Sequence, residues 1–211
     1  KLKQLARRPD VRIVGPLGKE HLAYPEPHQR LFFKGDAPAD RAVYAREILG
    51  RVATRAYRRP PDAATLDALV ALAGSSERFE RGIAQALTAI LASPRFLFRA
   101  ETQPRPDDPA VVHPLDEYSL ASRLSYLLWL SLPDDELLRL AGEGRLREQL
   151  GAQVRRLLAD SKSGRFFEDF PGQWLRTRNV LMTAVSTKAA ARLNPVRASM
   201  KRETELLFEH I

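Results

Sequence analysis

The sequence has 211 residues, of which 44% are hydrophobic and 28% charged, and its formal net charge is +8. This length and apolar content suffice for one ordinary domain or two small ones, and they exclude a chain that is disordered throughout. The sequence contains no cysteine, which excludes disulfides, zinc–thiolate sites and a Cys-x-x-Cys-His haem attachment motif within these residues.

Residues 1–38 are rich in proline and contain a short β-type run, in place of the helical spacing of apolar residues that follows. The segment Val11–Val14 ends at Gly15-Pro16, which is typical of a strand followed by a turn. Arg30–Phe33 could add a second short strand. We interpret this region as the end of an upstream β-type module followed by a linker.

A first helical domain is predicted over residues 39–102, because apolar residues recur there at three- and four-residue spacing. Three helices are expected, with Gly74 as a left-handed residue ending the second. A proline pair, a capping aspartate, a glycine and a Ser-Pro step mark the boundaries: Pro60-Pro61, Asp62, Gly74 and Ser93-Pro94.

The proline-rich stretch 103–113 is predicted to be a linker, and residues 114–211 a second helical domain. Its signals are N-caps, negative charge in the first turn of a helix, helix-stopping residues and apolar stripes. They occur at Asp116, Leu120–Leu128, Pro133, Asp134, Gly144, Leu146–Leu158, Phe166–Trp174 and Asn194-Pro195. Pro171 should kink or end the aromatic helix, because it lacks an amide donor. The predicted fold class is mainly α, with two small helical subdomains packed orthogonally or as bundles and a short β or irregular N-terminal segment.

The segment from Met200 to Ile211 has the pattern of an amphipathic helix without a terminating residue. The sequence therefore predicts that the second domain continues beyond Ile211. On this interpretation Met200, Leu207 and Ile211 should be unusually exposed, because the helices that would cover them are missing.

Several separated motifs occur in a fixed order along the two predicted domains. They are Ala53–Pro60 and Gly82–Arg99 in the first, then Leu120–Trp129, Leu132–Leu137, Gln153–Asp160, Gly172–Leu175 and Arg202–Leu206 in the second. Together they resemble two adjacent helical domains of planctomycete-type, cytochrome-c-associated secreted multidomain proteins of uncharacterised function. The resemblance implies a periplasmic or secreted bacterial protein, with a carbohydrate-binding-like module upstream and a c-type haem attachment region downstream. No cofactor is expected within the chain itself.

Five residues form the candidate polar cleft or buried ion pair. Glu203 lies between Met200 and Leu207 on the assumed apolar face, so it would need a partner such as Arg123 or Arg176 if buried. Gln173, Trp174 and Arg176 could line a sugar or partner cleft. The Phe-rich stripe before Trp174 favours core packing of its indole instead. Glu205, Glu209 and His210 do not form a convincing metal site, because their side chains do not share one helix face.

The sequence does not settle whether the chain is an enzyme, and two functions remain open. One is a helical module of a larger extracytoplasmic haem-linked protein with redox activity on polysaccharide, or binding of it. The alternative is a non-catalytic structural or protein-interaction scaffold, whose partners are other domains of the same protein. Nucleic acid is not an expected partner, because the basic residues are interleaved with Asp and Glu rather than gathered in a stripe. No membrane span is expected either, since the longest apolar run, 124–132, is too short to cross a bilayer.

Overall fold

The computed structural model describes residues 24–35, 40–99, 101, 105, 107–108, 110 and 112–210. Within these residues the regular structure is entirely helical, which confirms the mainly α prediction. The α-helices are α1 (Glu26–Leu31), α2 (Arg41–Tyr57), α3 (Ala63–Gly74), α4 (Phe79–Ala92), α5 (Pro94–Leu97), α6 (Glu117–Trp129), α7 (Asp135–Gly142), α8 (Leu150–Ala159), α9 (Gly164–Trp174), α10 (Thr187–Leu193) and α11 (Arg197–His210). Short 3-10 turns occupy Ser161–Ser163, Thr177–Asn179 and Asn194–Val196.

The predicted strand at Arg30–Phe33 is wrong, because α1 extends to Leu31 and a turn follows it. Proline is compatible with the first turn of this helix, and the exposed pair Glu26–Arg30 links one turn to the next. Phe32 then packs into the core of the first domain. The other predicted strand, Val11–Val14, lies outside the described residues.

The first domain packs α2, α3 and α4 around one apolar core. Its most deeply buried side chains are Tyr44, Ile48, Leu49, Ile83 and Ile90. Asp62 caps α3 as predicted, accepting a hydrogen bond from the amide of Thr65. The prediction that Gly74 is a left-handed residue is wrong, because Gly74 is the last helical residue of α3 and does not have a positive φ. The left-handed conformation occurs instead at Arg58, which adopts φ 60° at the end of α2.

The second domain has a separate core between α6, α7 and α8. Trp129 lies at its centre, only 1% exposed, and its indole Nε1 donates a 2.9 Å hydrogen bond to the carbonyl of Leu157. Asp116 caps α6 as the sequence predicts. Asp134, which the sequence places among the negative charges in the first turn of the next helix, is the N-cap of α7. Gly144 adopts φ +67° after α7, so it ends that helix in the left-handed conformation that suits glycine.

The helix α9 carries the aromatic residues and packs against α11. Pro171 is buried inside α9 rather than ending it, and the helix continues to Trp174. The closing helix α11 begins at Arg197, after the 3-10 turn at Asn194–Val196. Met200 and Leu207 on α11 are 45% and 59% exposed, and Ile211 lies outside the described residues. Across the ranges described above, no helix combines the length and apolar character needed to cross a membrane.

Asp134 connects the start of α7 to α8. Its carboxylate accepts a 2.9 Å bond from the amide of Leu137 and bonds of 2.7 and 3.1 Å from the guanidinium of Arg156. Burial alone would raise the pKa of Asp134, but the hydrogen bonds from Arg156 and Leu137 outweigh it, so this pKa lies below its ordinary value. The carboxylate therefore stabilises the fold in its charged form.

We expect Asp134→Asn to lower the free energy of unfolding at neutral pH by about 1 kcal/mol, because the charge-assisted bonds to Arg156 are lost. A carboxylate with a lowered native pKa contributes stability above its unfolded pKa of about 3.9 and loses that contribution as pH falls through the native value. The difference between wild type and variant should thus be constant above about pH 5 and shrink below about pH 4. Urea unfolding monitored by circular dichroism measures it, with the exposed Glu168→Gln as control. A difference that grows with acidification would contradict the assignment.

Candidate functional site

A cleft of about 970 Å³ lies between the first and second domains and is lined by five arginines. We call it the arginine cleft; its arginines are Arg58, Arg59, Arg95, Arg99 and Arg123. Two carboxylates, Asp62 and Glu101, also line it. The lining therefore carries an excess of three positive charges, which suits an anionic group.

Arg58 is the buried member of the arginine cleft. Its guanidinium donates to backbone carbonyls on the α5 segment, at 2.8 Å to Arg95, 3.3 Å to Phe96 and 2.8 Å to Phe98. A fourth bond of 3.3 Å reaches the carbonyl of Ala56. The donors of Arg58 are thus committed to holding the chain just before Arg99, and they are not free for a ligand.

Arg59 ties the two domains together through Asp116. Its guanidinium donates to both carboxylate oxygens of Asp116 at 3.1 and 3.2 Å and to the hydroxyl of Ser119 at 3.1 Å. Burial raises the pKa of Asp116, but bonds from Ser119 and Arg59 outweigh it and leave the pKa lowered. One carboxylate therefore both caps α6 and anchors the first domain, with a second interdomain bond of 3.3 Å from Arg55 to Asp135.

Two further arginines of the cleft are paired with its carboxylates. Arg95 donates to Asp62 at 3.0 Å, and Arg123 forms a bidentate pair with Glu101 through two 2.6 Å bonds. Hydrogen bonds from Thr65, together with that from Arg95, lower the pKa of Asp62 to about 2. The carboxylate of Asp62 therefore remains charged at neutral pH, and the two ion pairs hold Arg95 and Arg123 in place.

A second cavity of about 680 Å³ adjoins the first and is lined by aromatic and polar side chains. We call it the aromatic groove; it includes Tyr126, Phe166, Phe170 and Trp174, with the carboxylate of Asp169 as its charged polar group and the amide of Gln173 as its uncharged one. The rings follow one face of α9, since Phe166 stacks on Phe170 at 5.2 Å between centroids and Phe170 lies 5.8 Å from Trp174. Arg99 belongs to both cavities.

Trp174 is 65% exposed, so the expectation that it packs in the core is wrong. Phe208 of α11 supports the indole edge-to-face at 6.0 Å between centroids. Asp169 accepts hydrogen bonds from Gln173 and Arg178, which orients its carboxylate in the groove. An aromatic face, an amide and a carboxylate are thus presented together on one exposed surface.

The structure brings only some of the predicted site residues together. Gln173 and Trp174 share the aromatic groove, whereas Arg123 lies in the arginine cleft and pairs with Glu101. Arg176 is exposed, adopts φ 58° and lines neither cavity, and Glu203 is exposed. The considered pairing of Glu203 with Arg123 or Arg176 is therefore not formed.

The buried carboxylate of α11 is Glu205 instead. Its side chain is 6% exposed and lies 2.7 Å from the ammonium of Lys201 and 3.2 Å from the guanidinium of Arg202. Burial raises its pKa, but the bonds from Lys201 and Arg202 outweigh it and leave the pKa lowered. In the part of the chain that the structure describes, no group of three or more His, Asp or Glu side chains is placed to hold a metal ion.

Sequence reasoning missed Arg99, Tyr126, Asp169 and Phe170. The one sequence signal for Arg99 is its position as a cation just after α5, the short helix that the Ser-Pro step begins. Phe170 precedes Trp174 by four residues, which places both on one helix face. Nothing in the sequence, however, shows that this face is open.

Comparison with known proteins identifies two adjacent domains. Residues 44–101 match the family model PSD5, described as protein of unknown function (DUF1595). Residues 115–211 match the family model PSD4, described as protein of unknown function (DUF1592). No curated protein and no solved structure gives a significant match.

Proposed function

We propose that these two adjacent domains form a glycan-binding helical module of a larger extracytoplasmic, haem-linked protein, with Trp174 as the main contact. The exposure of Trp174 in the aromatic groove is the observation that carries this proposal. Phe208 contacts the indole on one side, and a ligand bound to the exposed side would remove the remaining apolar surface from water.

The chemistry of the groove suits a sugar ring. The C–H face of a pyranose packs on flat aromatic surface, and its hydroxyls need directed donors and acceptors beside that surface. Trp174 and Phe170 supply the aromatic surface, since Phe170 is itself 42% exposed. Gln173 and Asp169 supply an amide and a carboxylate at hydrogen-bonding distance from each other.

Binding is the activity that we assign to this chain. In the proposal, redox chemistry on the glycan belongs to a haem-bearing region elsewhere in the protein, and the family resemblance of the motifs supports that part. The same resemblance supports a periplasmic or secreted location. This chain would hold the substrate while its covalent chemistry occurs elsewhere.

Intrinsic fluorescence tests the proposal, because the chain has two tryptophans in opposite environments. Trp129 is buried in the second core, so a ligand in the groove should change the emission of Trp174 alone. We expect Trp174→Ala to weaken glycan binding by at least about tenfold, through loss of the stacking surface. Trp174→Phe should retain part of the affinity.

Calorimetric titration of a panel of neutral and acidic oligosaccharides gives the affinities. Met182→Ala is the matched control, because Met182 is 90% exposed and lies outside the aromatic groove. Circular dichroism establishes that each variant is folded. The proposal fails if no glycan binds, or if Trp174→Ala and Met182→Ala bind equally well.

The interaction scaffold is the second candidate, and the exposure of Met200 and Leu207 on α11 favours it. Apolar side chains on one exposed helix face suit contact with another domain of the same protein. The two functions separate in one experiment on the complete protein. If glycans do not bind and Met200→Lys releases this module from its neighbours in limited proteolysis, the scaffold is the correct function.

A further inference from the structure

We infer that the glycan bound by this module is acidic, and that its carboxylate or sulfate pairs with Arg99 at the junction of the two cavities. This inference rests on the proposed function, since it names the class of glycan. The first observation is position: Arg99 is the residue that lines both the arginine cleft and the aromatic groove. Its guanidinium can therefore contact the acid group of a ligand bound in either cavity.

The second observation concerns which arginines are already occupied. Arg58 is committed to backbone carbonyls, and Arg59, Arg95 and Arg123 each pair with a carboxylate. Within the described ranges, by contrast, no carboxylate forms a salt bridge with Arg99. Its guanidinium is thus the cleft cation whose N–H donors are available to a ligand.

The third observation is that Arg99 is held in place without using those donors. Its guanidinium carbon lies 4.4 Å from the ring centroid of Tyr126. An aromatic ring attracts the cation through its π face, while the edge of the guanidinium keeps its N–H fork for a planar or tetrahedral anion. Arg58 contributes by fixing the carbonyls of Arg95 and Phe98 immediately before Arg99. The guanidinium is therefore preorganised for a bidentate contact.

The surrounding charge favours the same class of ligand. Five arginines face three carboxylates when Asp116, the partner of Arg59, is counted with Asp62 and Glu101, so the arginine cleft keeps an excess of two positive charges that attracts an acid group. Uronate carboxylates and sulfate esters share this chemistry, and both are borne by sugar rings that the adjoining aromatic surface can stack.

A nucleic acid would also combine stacking with phosphate contacts, but the groove is less suited to it. The carboxylate of Asp169 is paired with Arg178 and accepts hydrogen bonds from neutral donors, whereas a phosphodiester offers it only acceptors. Sugar hydroxyls, in contrast, donate readily to that carboxylate. The acidic glycan is thus the ligand that satisfies both cavities.

Polygalacturonate and its methyl ester make a matched pair, because they share a backbone and differ only in whether the carboxylate is free or methyl-esterified. We expect the acid form to bind at least about tenfold more tightly, and Arg99→Gln to remove that preference while leaving the methyl ester unaffected. Arg99→Lys should keep about half of the preference on a logarithmic scale, since it keeps the charge but not the fork. Arg155→Gln is the control, because it changes the net charge equally from an exposed position outside both cavities.

The outcomes separate the two proposals. Binding of the methyl ester that Trp174→Ala abolishes, with no preference for the acid form, keeps the proposed function and overturns this inference. No binding of either form, and none of dextran or dextran sulfate, overturns both. Tighter binding of dextran sulfate than of polygalacturonate, still lost in Arg99→Gln, identifies sulfate as the anion. Binding of a single-stranded oligonucleotide at physiological salt, tighter than that of either acidic glycan, overturns the inference in favour of nucleic acid.

Discussion

Replacement of Gly82 by alanine is expected to lower the free energy of unfolding by about 3 kcal/mol or more, because the first domain has no space for a methyl group there. A Cβ built at Gly82 would lie 1.9 Å from the carbonyl oxygen of Ala73 and 2.9 Å from its carbonyl carbon. These are backbone atoms of α3, so relief requires α3 and α4 to move apart. Movement of that kind would open the core around Ile83 and Ala86, which are fully buried.

Gly50→Ala is the matched control for this experiment. Gly50 lies inside α2, and a Cβ there would meet only the flexible Leu66 side chain, at 3.8 Å. Alanine has the higher helix propensity, so this variant should gain about 0.5–1 kcal/mol. Because the chemical change is identical, the gap between the two variants measures the contact of α4 with α3. Thermal unfolding followed by circular dichroism gives both values, and equal midpoints for Gly82→Ala and wild type would contradict the close approach.

The features predicted correctly from the sequence are those that depend on neighbours in the chain. Asp62 and Asp116 cap their helices by accepting bonds from amides three residues ahead, so their role is readable locally. The helical character of both domains follows from apolar spacing for the same reason.

The features missed or mistaken depend on packing between distant elements. The buried face of α11 runs through Glu205 and Phe208, because α11 packs against α9, whereas the sequence pattern suggested a face through Glu203. The Phe-rich stripe of α9 suggested that Trp174 is buried, yet its side chain is 65% exposed and Phe208 of α11 contacts only one side of the indole. Burial on an amphipathic helix cannot be assigned before its neighbour is known.

The candidate site depends even more on distant contacts. Arg58 and Arg59 follow α2, where their charge suits a helix C-terminus whatever their partners are. Apart from the carbonyl of Ala56, their acceptors lie 37 to 60 residues further along the chain. Tyr126 likewise approaches Arg99 only when the two domains meet. Sequence patterns therefore located the helices that carry the site without revealing the site.

Arg58→Met should lower the free energy of unfolding by about 3 kcal/mol, because it leaves carbonyls of the α5 segment without their donor. Methionine retains most of the apolar stem while removing all N–H groups. The two 2.8 Å bonds to Arg95 and Phe98 carry most of the effect, since the other two are longer. Arg58→Lys should cost less, because an ammonium can still serve some of these carbonyls.

The control is Arg55→Met, which removes an exposed arginine with one 3.3 Å bond to Asp135. A surface pair of this kind contributes at most about 1 kcal/mol. Hydrogen exchange distinguishes local from global effects. In Arg58→Met the exchange of the amides of residues 95–99 should be accelerated more, relative to wild type, than that of the α6 amides, whereas Arg55→Met should leave both unchanged. Because Arg99 ends this segment, the same variant should weaken acidic glycan binding more than neutral glycan binding at temperatures where both cores remain folded. Unchanged exchange at residues 95–99 would show that Arg58 does not hold the segment in place.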